Sequence, residues 1–163
     1  MNALCQMALE RHVSGQSQFG PGQEETPAIV GGIRELLGDS LLAIVMFGSV
    51  ARGDSRDGSD IDLLIALNRG RALKRNIYSL WDERFPAQEH NPHFVHLPLQ
   101  TLDAGSLWLE AAVDGVVQYD RDGTVSRFLG RVRRLIASGK LKRRFAYGHP
   151  YWLKAGGDHE NVQ

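Results

Sequence analysis

Cysteine is almost missing from this chain: Cys5 is the only one in 163 residues. One thiol allows neither an internal disulfide nor a cysteine-rich zinc site, so any metal must be held through oxygen or histidine. Long apolar runs are missing too, and nothing approaches the roughly 18 residues of a membrane span. Met1 to Arg11 lacks the basic start and apolar stretch of a secretory signal, so the expectation is a cytoplasmic protein with no membrane partner. There is no net charge, since 19 Lys and Arg balance 19 Asp and Glu. That balance counts against nucleic acid as a partner. Internal repeats and low-complexity tracts are absent as well.

The balance conceals an uneven distribution. Arg127 to Arg144 holds eight basic residues and no acid, which leaves the rest of the chain acidic. This asymmetry suggests a solvated helix face or a surface for an anionic partner.

A hydrophobic fraction of 42% and a charged fraction of 23% are those of an ordinary globular chain, and the length suits one domain. Met1 to Arg11 suggests a short helix, and Ser14 to Pro27, rich in Gly, Gln and Ser, a linker, so residues 1–26 read as an N-terminal helix and flexible connection. From Pro27, apolar residues recur at helical spacing through Ile29, Ile33 and Leu37 and stop at Gly38. Leu41 to Phe47 and Ile61 to Leu67 are continuous apolar runs that predict buried strands. Helices are predicted over Ala72 to Arg84 and Leu107 to Val113, and strands over Phe94 to Leu99 and Gly115 to Tyr119. A last helix carries Phe128, Val132, Leu135 and Ile136 on one face and the basic residues on the other. The predicted fold class is α/β or α+β, a mixed sheet flanked by helices. Its main domain would span 27–125, with 126–163 a basic helix and tail packed on it.

Chemistry concentrates in Phe47-Gly48-Ser49-Val50-Ala51-Arg52-Gly53 and Ser59-Asp60-Ile61-Asp62-Leu63-Leu64. Side chains alternate along a strand, so Asp60 and Asp62 share a face while Ile61, Leu63 and Ile65 turn to a core. Two carboxylates side by side repel unless a cation sits between them. Mg²⁺ fits, because it takes one or two carboxylates and completes its octahedron with phosphate oxygens and water. Gly48 ends a strand and lets the backbone approach a ligand, where its amides and the Ser49 hydroxyl would hold phosphate oxygens. These parts together predict phosphoryl or nucleotidyl transfer. Arg52 would either reach a phosphate or bridge to Asp60 or Asp54.

This stretch resembles the signature of the DNA polymerase beta-like nucleotidyltransferase superfamily: Gly-Ser, ten residues from Val50 to Ser59, then Asp-x-Asp. Arg52-Gly53 and Ser59 are similar to the minimal nucleotidyltransferases of bacteria and archaea. A looser similarity covers Gly115 to Asp120 and Tyr151-Trp152-Leu153-Lys154. The resemblance implies the polymerase beta-like fold, metal binding by Asp60 and Asp62, and nucleotide binding by Gly48, Ser49, Arg52 and Ser59. It also implies a nucleoside triphosphate such as ATP as substrate. Relatives include antitoxins that adenylylate a ribonuclease toxin and aminoglycoside-modifying enzymes, so a HEPN-type toxin is one implied partner.

The chain departs from the family's pattern in one respect. Many members carry a third carboxylate on the next strand, but His93-Phe94-Val95-His96-Leu97-Pro98-Leu99 has no acid. His96, with His93 as the alternative, is the candidate base in its place. Three readings stay open: transfer of AMP to an acceptor hydroxyl, on a protein such as a toxin; a nucleotide-binding antitoxin or regulatory module without turnover; and a small-molecule transferase of the aminoglycoside type. Zinc is disfavoured, since an offset of three puts His93 and His96 on opposite strand faces. Asp54 to Gly58 is no calcium loop, because its third and fifth positions are Arg56 and Gly58. Gly48 to Gly53 lacks the Lys-Ser/Thr of a P-loop.

Overall fold

In the computed structural model, residues 26–54, 58–87, 89–147 and 149–155 are described; the helix expected over Met1 to Arg11 and most of the linker expected over Ser14 to Pro27 lie outside them, while Thr26 and Pro27 already belong to the first helix. The chain runs α1 (Thr26–Leu37), β1 (Leu41–Phe47), α2 (Gly48–Arg52), β2 (Ile61–Leu67), α3 (Asn76–Arg84) and β3 (His90–His96). It continues through α4 (Ser106–Asp114), β4 (Val116–Asp120) and α5 (Thr124–Ala137) to β5 (Leu141–Ala146) and β6 (His149–Lys154). Four strands form one sheet in the order β3-β2-β1-β4, and β5 and β6 form a separate hairpin. β1 is antiparallel to β2 and β4, whereas β2 and β3 are parallel. The sheet is therefore mixed, as expected, and among the described residues no helix is long and apolar enough to cross a membrane.

β1 and β2 read as unbroken apolar runs because both sheet faces are covered. On one face, Ile44, Met46, Leu63, Ile65 and Phe94 pack under Ile29, Ile33 and Leu37 of α1 and Ile77 and Trp81 of α3. On the other, Ala43, Val45, Leu64 and Ala66 meet Trp108, Leu109 and Ala112 of α4 and Val125, Phe128, Leu129 and Val132 of α5. Trp108 and Phe128 meet edge to face with centroids 5.1 Å apart, an arrangement that adds about 0.5–1.5 kcal/mol to area burial. Asp62 shares a face with Leu64 and Ala66, on the side of the α4–α5 layer, and its side chain stays 30% exposed at the end of the strand.

Three element boundaries differ from the sequence expectations, each for a physical reason. α3 starts at Asn76 because residues before it form tight turns, with the Ile77 amide donating to the Lys74 carbonyl over 3.0 Å, and Leu73 stays 43% exposed. β3 starts four residues early, at His90, and contains Pro92. A proline is tolerated there because β3 is an edge strand and its missing N–H breaks no interior ladder. The basic run is not one helix face: α5 ends at Ala137 and the chain turns back as β5.

The hairpin is anchored through α4. Leu141 is buried in the α4–α5 core and Trp152 packs against it. Trp152 Nε1 donates to Glu110 Oε1 at 2.7 Å, and Arg143 Nη2 donates to Glu110 Oε2.

Leu64 is fully buried between layers, so Leu64→Ala should lower unfolding free energy by about 2–5 kcal/mol. Equilibrium urea unfolding checks this; a change below 1 kcal/mol would contradict the two-sided core.

Candidate active site

The strand register brings the two halves of the motif together. Phe47, the last residue of β1, lies opposite Asp62 of β2. The chain then reverses into the five-residue α2 at Gly48, whose φ is +80°. A side chain at this position would be strained by that backbone angle. It would also collide, because an ideal Cβ on Gly48 would lie 2.5 Å from Asp62 Oδ2. Glycine here thus serves both the turn and the space beside the second carboxylate.

Asp62 is held from its other side. Its Oδ1 accepts a hydrogen bond from Asn91 Nδ2 at 3.0 Å and lies 3.4 Å from His93 Nε2. The His93 ring leans on Phe47 with centroids 5.5 Å apart, so the residue before the Gly-Ser turn also orients the histidine. Asp60 is exposed one residue before β2. The start of that strand is fixed by the Ile61 amide donating to the Glu89 carbonyl over 2.9 Å. Ser49 is half-buried in the first turn of α2, where helical amides have no partner within the helix, and Ser59 is exposed on the approach to Asp60.

His96 goes elsewhere. Its Nε2 is 2.7 Å from the carbonyl oxygen of Arg71, and strand alternation puts it on the opposite face from His93. His93 is the histidine brought to Asp62, and the extended β3, His90-Asn91-Pro92-His93-Phe94-Val95-His96, contains no acid.

Arg52 is a clamp. Its Nη1 donates to Asp114 Oδ2 at 2.8 Å and its Nε to Asp54 Oδ2 at 3.2 Å. Of the bridges the sequence left open, Asp54 forms, and Asp114 at the end of α4 is added. The hydrogen bond that Arg52 donates to Asp114 is the main reason that the Arg52 pKa is raised above its ordinary value, with Asp54 contributing less. Asp114 is nine-tenths buried, and its Oδ1 has no hydrogen-bond partner among the described residues.

Two residues at this site escaped sequence reasoning. Asn91 lies two positions before His93, so the period of a strand would have found it had the strand been started at His90. Asp114 is 62 residues from Arg52, and no local pattern announces such a pair.

The donor set suits a hard cation. Among the described residues no three His, Cys, Asp or Glu side chains gather into a metal site, so Asp60 and Asp62 would need oxygens from a substrate to complete one. Mg²⁺ binds in that manner, and the Asp62 side chain is 30% exposed. Two sizeable surface hollows lie elsewhere. One is lined by Phe94, His96, Leu99 and Trp108 and the other by Arg34, Tyr119 and Arg121. Neither offers two carboxylates beside a glycine turn, so the chemistry, and not the depth of the surface, places the site.

Residues 28–97 match the model of the nucleotidyltransferase domain family. Over this segment the chain is similar to nucleotidyltransferase domains. The segment includes β1, the Gly-Ser turn, both motif aspartates and β3. Solved structures with the same fold include a toxin-antitoxin crystallised with AMP-PNP, 17% identical, covering 71% of this chain and 89% of that one with a TM-score of 0.51. A mutant MntA-HpeT toxin-antitoxin is 16% identical, with 71% and 89% covered and a TM-score of 0.50. At such identities the likeness establishes the fold alone. No curated protein sequence matches the chain.

Two outcomes are expected of the nucleotidyltransferase site. Arg52→Met should lower stability by about 1–3 kcal/mol, because it strips a charged hydrogen bond from a buried carboxylate; urea unfolding checks this, and no change would make the clamp ornamental. Gly48→Ala should cost at least tenfold in Mg-ATP affinity by calorimetry, since Asp62 must move. Unchanged affinity would separate Gly48 from the nucleotide.

Proposed function

We propose that this chain transfers AMP from ATP to a hydroxyl group of a partner protein, using Mg²⁺ held by Asp60 and Asp62. The observation that carries this reading is the approach of Gly48 to Asp62, which sets a strained, side-chain-free turn against a carboxylate at the end of two paired strands. Nucleotidyl transfer needs that arrangement, because a triphosphate must lie between backbone donors and a metal. The bound ion would neutralise charge on the reacting phosphate and on the departing pyrophosphate.

The chain's own residues do the rest. Gly48 and Ser49 cradle triphosphate oxygens through amides and a hydroxyl. Asn91 fixes the Asp62 carboxylate so that Oδ2 stays turned toward Gly48. The acceptor oxygen attacks the α-phosphorus, a new O–P bond forms, the bond to the bridging oxygen breaks, and pyrophosphate leaves. Neutral His93 accepts the hydroxyl proton, and the imidazolium so formed lies beside Asp62. His93 thus takes the role first assigned to His96. Arg52 positions α2 through Asp114 while Ser59 borders the entrance.

A protein acceptor is supported by the toxin-antitoxin structures that share the fold, one of which holds AMP-PNP; a HEPN-type toxin is the first candidate. The acid-free β3 favours a second reading, a nucleotide-binding module without turnover.

Incubation with ATP labelled on the α-phosphate, with a co-expressed candidate partner, tests both. Wild type should label the partner, and His93→Ala should lose about 10²- to 10⁴-fold in rate with Mg-ATP affinity kept. His96→Ala should retain the rate. If wild type and His93→Asp both bind Mg-ATP and neither labels any acceptor, the binding module is the correct reading.

A further inference from the structure

The acid-free basic segment has a geometry that the nucleotide site does not use. Between Arg127 and Lys154 stand nine basic residues and no acid. Three are engaged by hydrogen bonds within the chain, Arg127 to the Asp122 carbonyl and Thr124, Arg133 to the Ala112 carbonyl, and Arg143 to Glu110, and Arg131 lies over the Phe128 ring. The remaining five are exposed.

The hairpin sorts them. Paired residues on antiparallel strands share a face. The inner face carries the Leu141 and Trp152 anchors, and the outer one carries Lys142 opposite Leu153 and Arg144 opposite Tyr151. All four outer residues are exposed, Tyr151 at 43% and Leu153 at 47%. Each rung therefore pairs a cation with an apolar or aromatic side chain, and the rungs repeat every two residues, about 7 Å. At the tip, Phe145 and Tyr147 are also open to solvent. Exposed Lys140 and Arg134 extend the positive field toward α5.

We propose that the outer face of the β5–β6 hairpin binds single-stranded nucleic acid, with Lys142 and Arg144 on successive phosphates and Tyr151 stacked on a base. Two observations select this occupant. The absence of any acid in the segment suits a polyanion. The pairing of each outer cation with an apolar or aromatic side chain, Tyr151 beside Arg144, matches a single strand whose unstacked bases are free to stack beside its phosphates. The zero net charge that counts against nucleic acid for the chain as a whole does not describe this face, which carries Lys142 and Arg144 and no acid. The hairpin lies outside residues 28–97, so the inference is independent of the proposed transfer.

Fluorescence anisotropy with labelled 16-mers of uridine and of thymidine, full chain, and EDTA to silence the aspartate site tests it. Affinity for at least one oligonucleotide should fall with salt at a log–log slope near −0.7 per phosphate contact. K142E/R144E should weaken binding at least tenfold at low salt and flatten the slope by about 1.4. Tyr151→Ala should weaken it about fivefold or more at an unchanged slope. K74E/R75E, in the turn before α3, should leave it intact. Uridine and thymidine 16-mers bound alike would mean recognition of any single strand, and uridine alone would mean RNA; both support the proposal. It is overturned if neither 16-mer binds, if both reversal pairs weaken binding equally, or if polyglutamate of matched charge competes as well as the oligonucleotide, which would make the face one for acidic proteins. Melting curves equal to wild type establish that each variant is folded.

Discussion

Where β1 ends, the chain must turn back within a space already claimed by a carboxylate, and that demand organises the active end of the molecule. The turn is possible because Gly48 accepts a φ of +80° and presents no Cβ to Asp62. It is positioned because β1 and β2 pair in a single register at this end, with Phe47 opposite Asp62. A slip of one residue would turn Asp62 to the other face and exchange the side chains packed in the two apolar layers. The apolar layers on both sides of the sheet therefore do more than stabilise the fold: they hold the carboxylate against the glycine.

Asp62 shows how the site divides its contacts. One oxygen is engaged toward β3 by Asn91 and His93, and the other faces the Gly48 turn. A carboxylate restrained in this manner loses little rotational freedom when a cation arrives. The parallel pairing of β2 with β3 makes the division possible, because it sets Asn91 beside Asp62 in register. An antiparallel neighbour would bring the other end of β3 to this position, with different side chains.

Much of the fold and part of the site were legible in the sequence. The strands 41–47 and 61–67 were plain because burial on both faces removes every polar interruption, and the helix ending at Leu37 was plain because Gly38 follows a four-residue apolar period. Gly48, Ser49, Asp60 and Asp62 were readable as a candidate site from local spacing alone, and the structure sets Gly48 against Asp62. The edge strand was harder: a half-exposed segment with Pro92 and two histidines reads as loop, so its start was misplaced and attention went to His96 in place of His93. The hairpin was masked by its own charge, since the consecutive cations Lys142, Arg143 and Arg144 prolong the basic run of the preceding helix. The Arg52–Asp114 pair joins elements far apart in the chain, and only the packing of α4 reveals it.

The helix α4 has a further consequence as a shared beam. Glu110 holds the hairpin through Arg143 and Trp152, and Asp114, one turn further along, holds the motif helix through Arg52. The two attachments lie at i and i+4 on one helix, about 6 Å apart along its axis, and both are ionic. A tilt of this short rod displaces the hairpin and the Gly-Ser turn together, so the two surfaces keep a fixed spacing while either one is occupied.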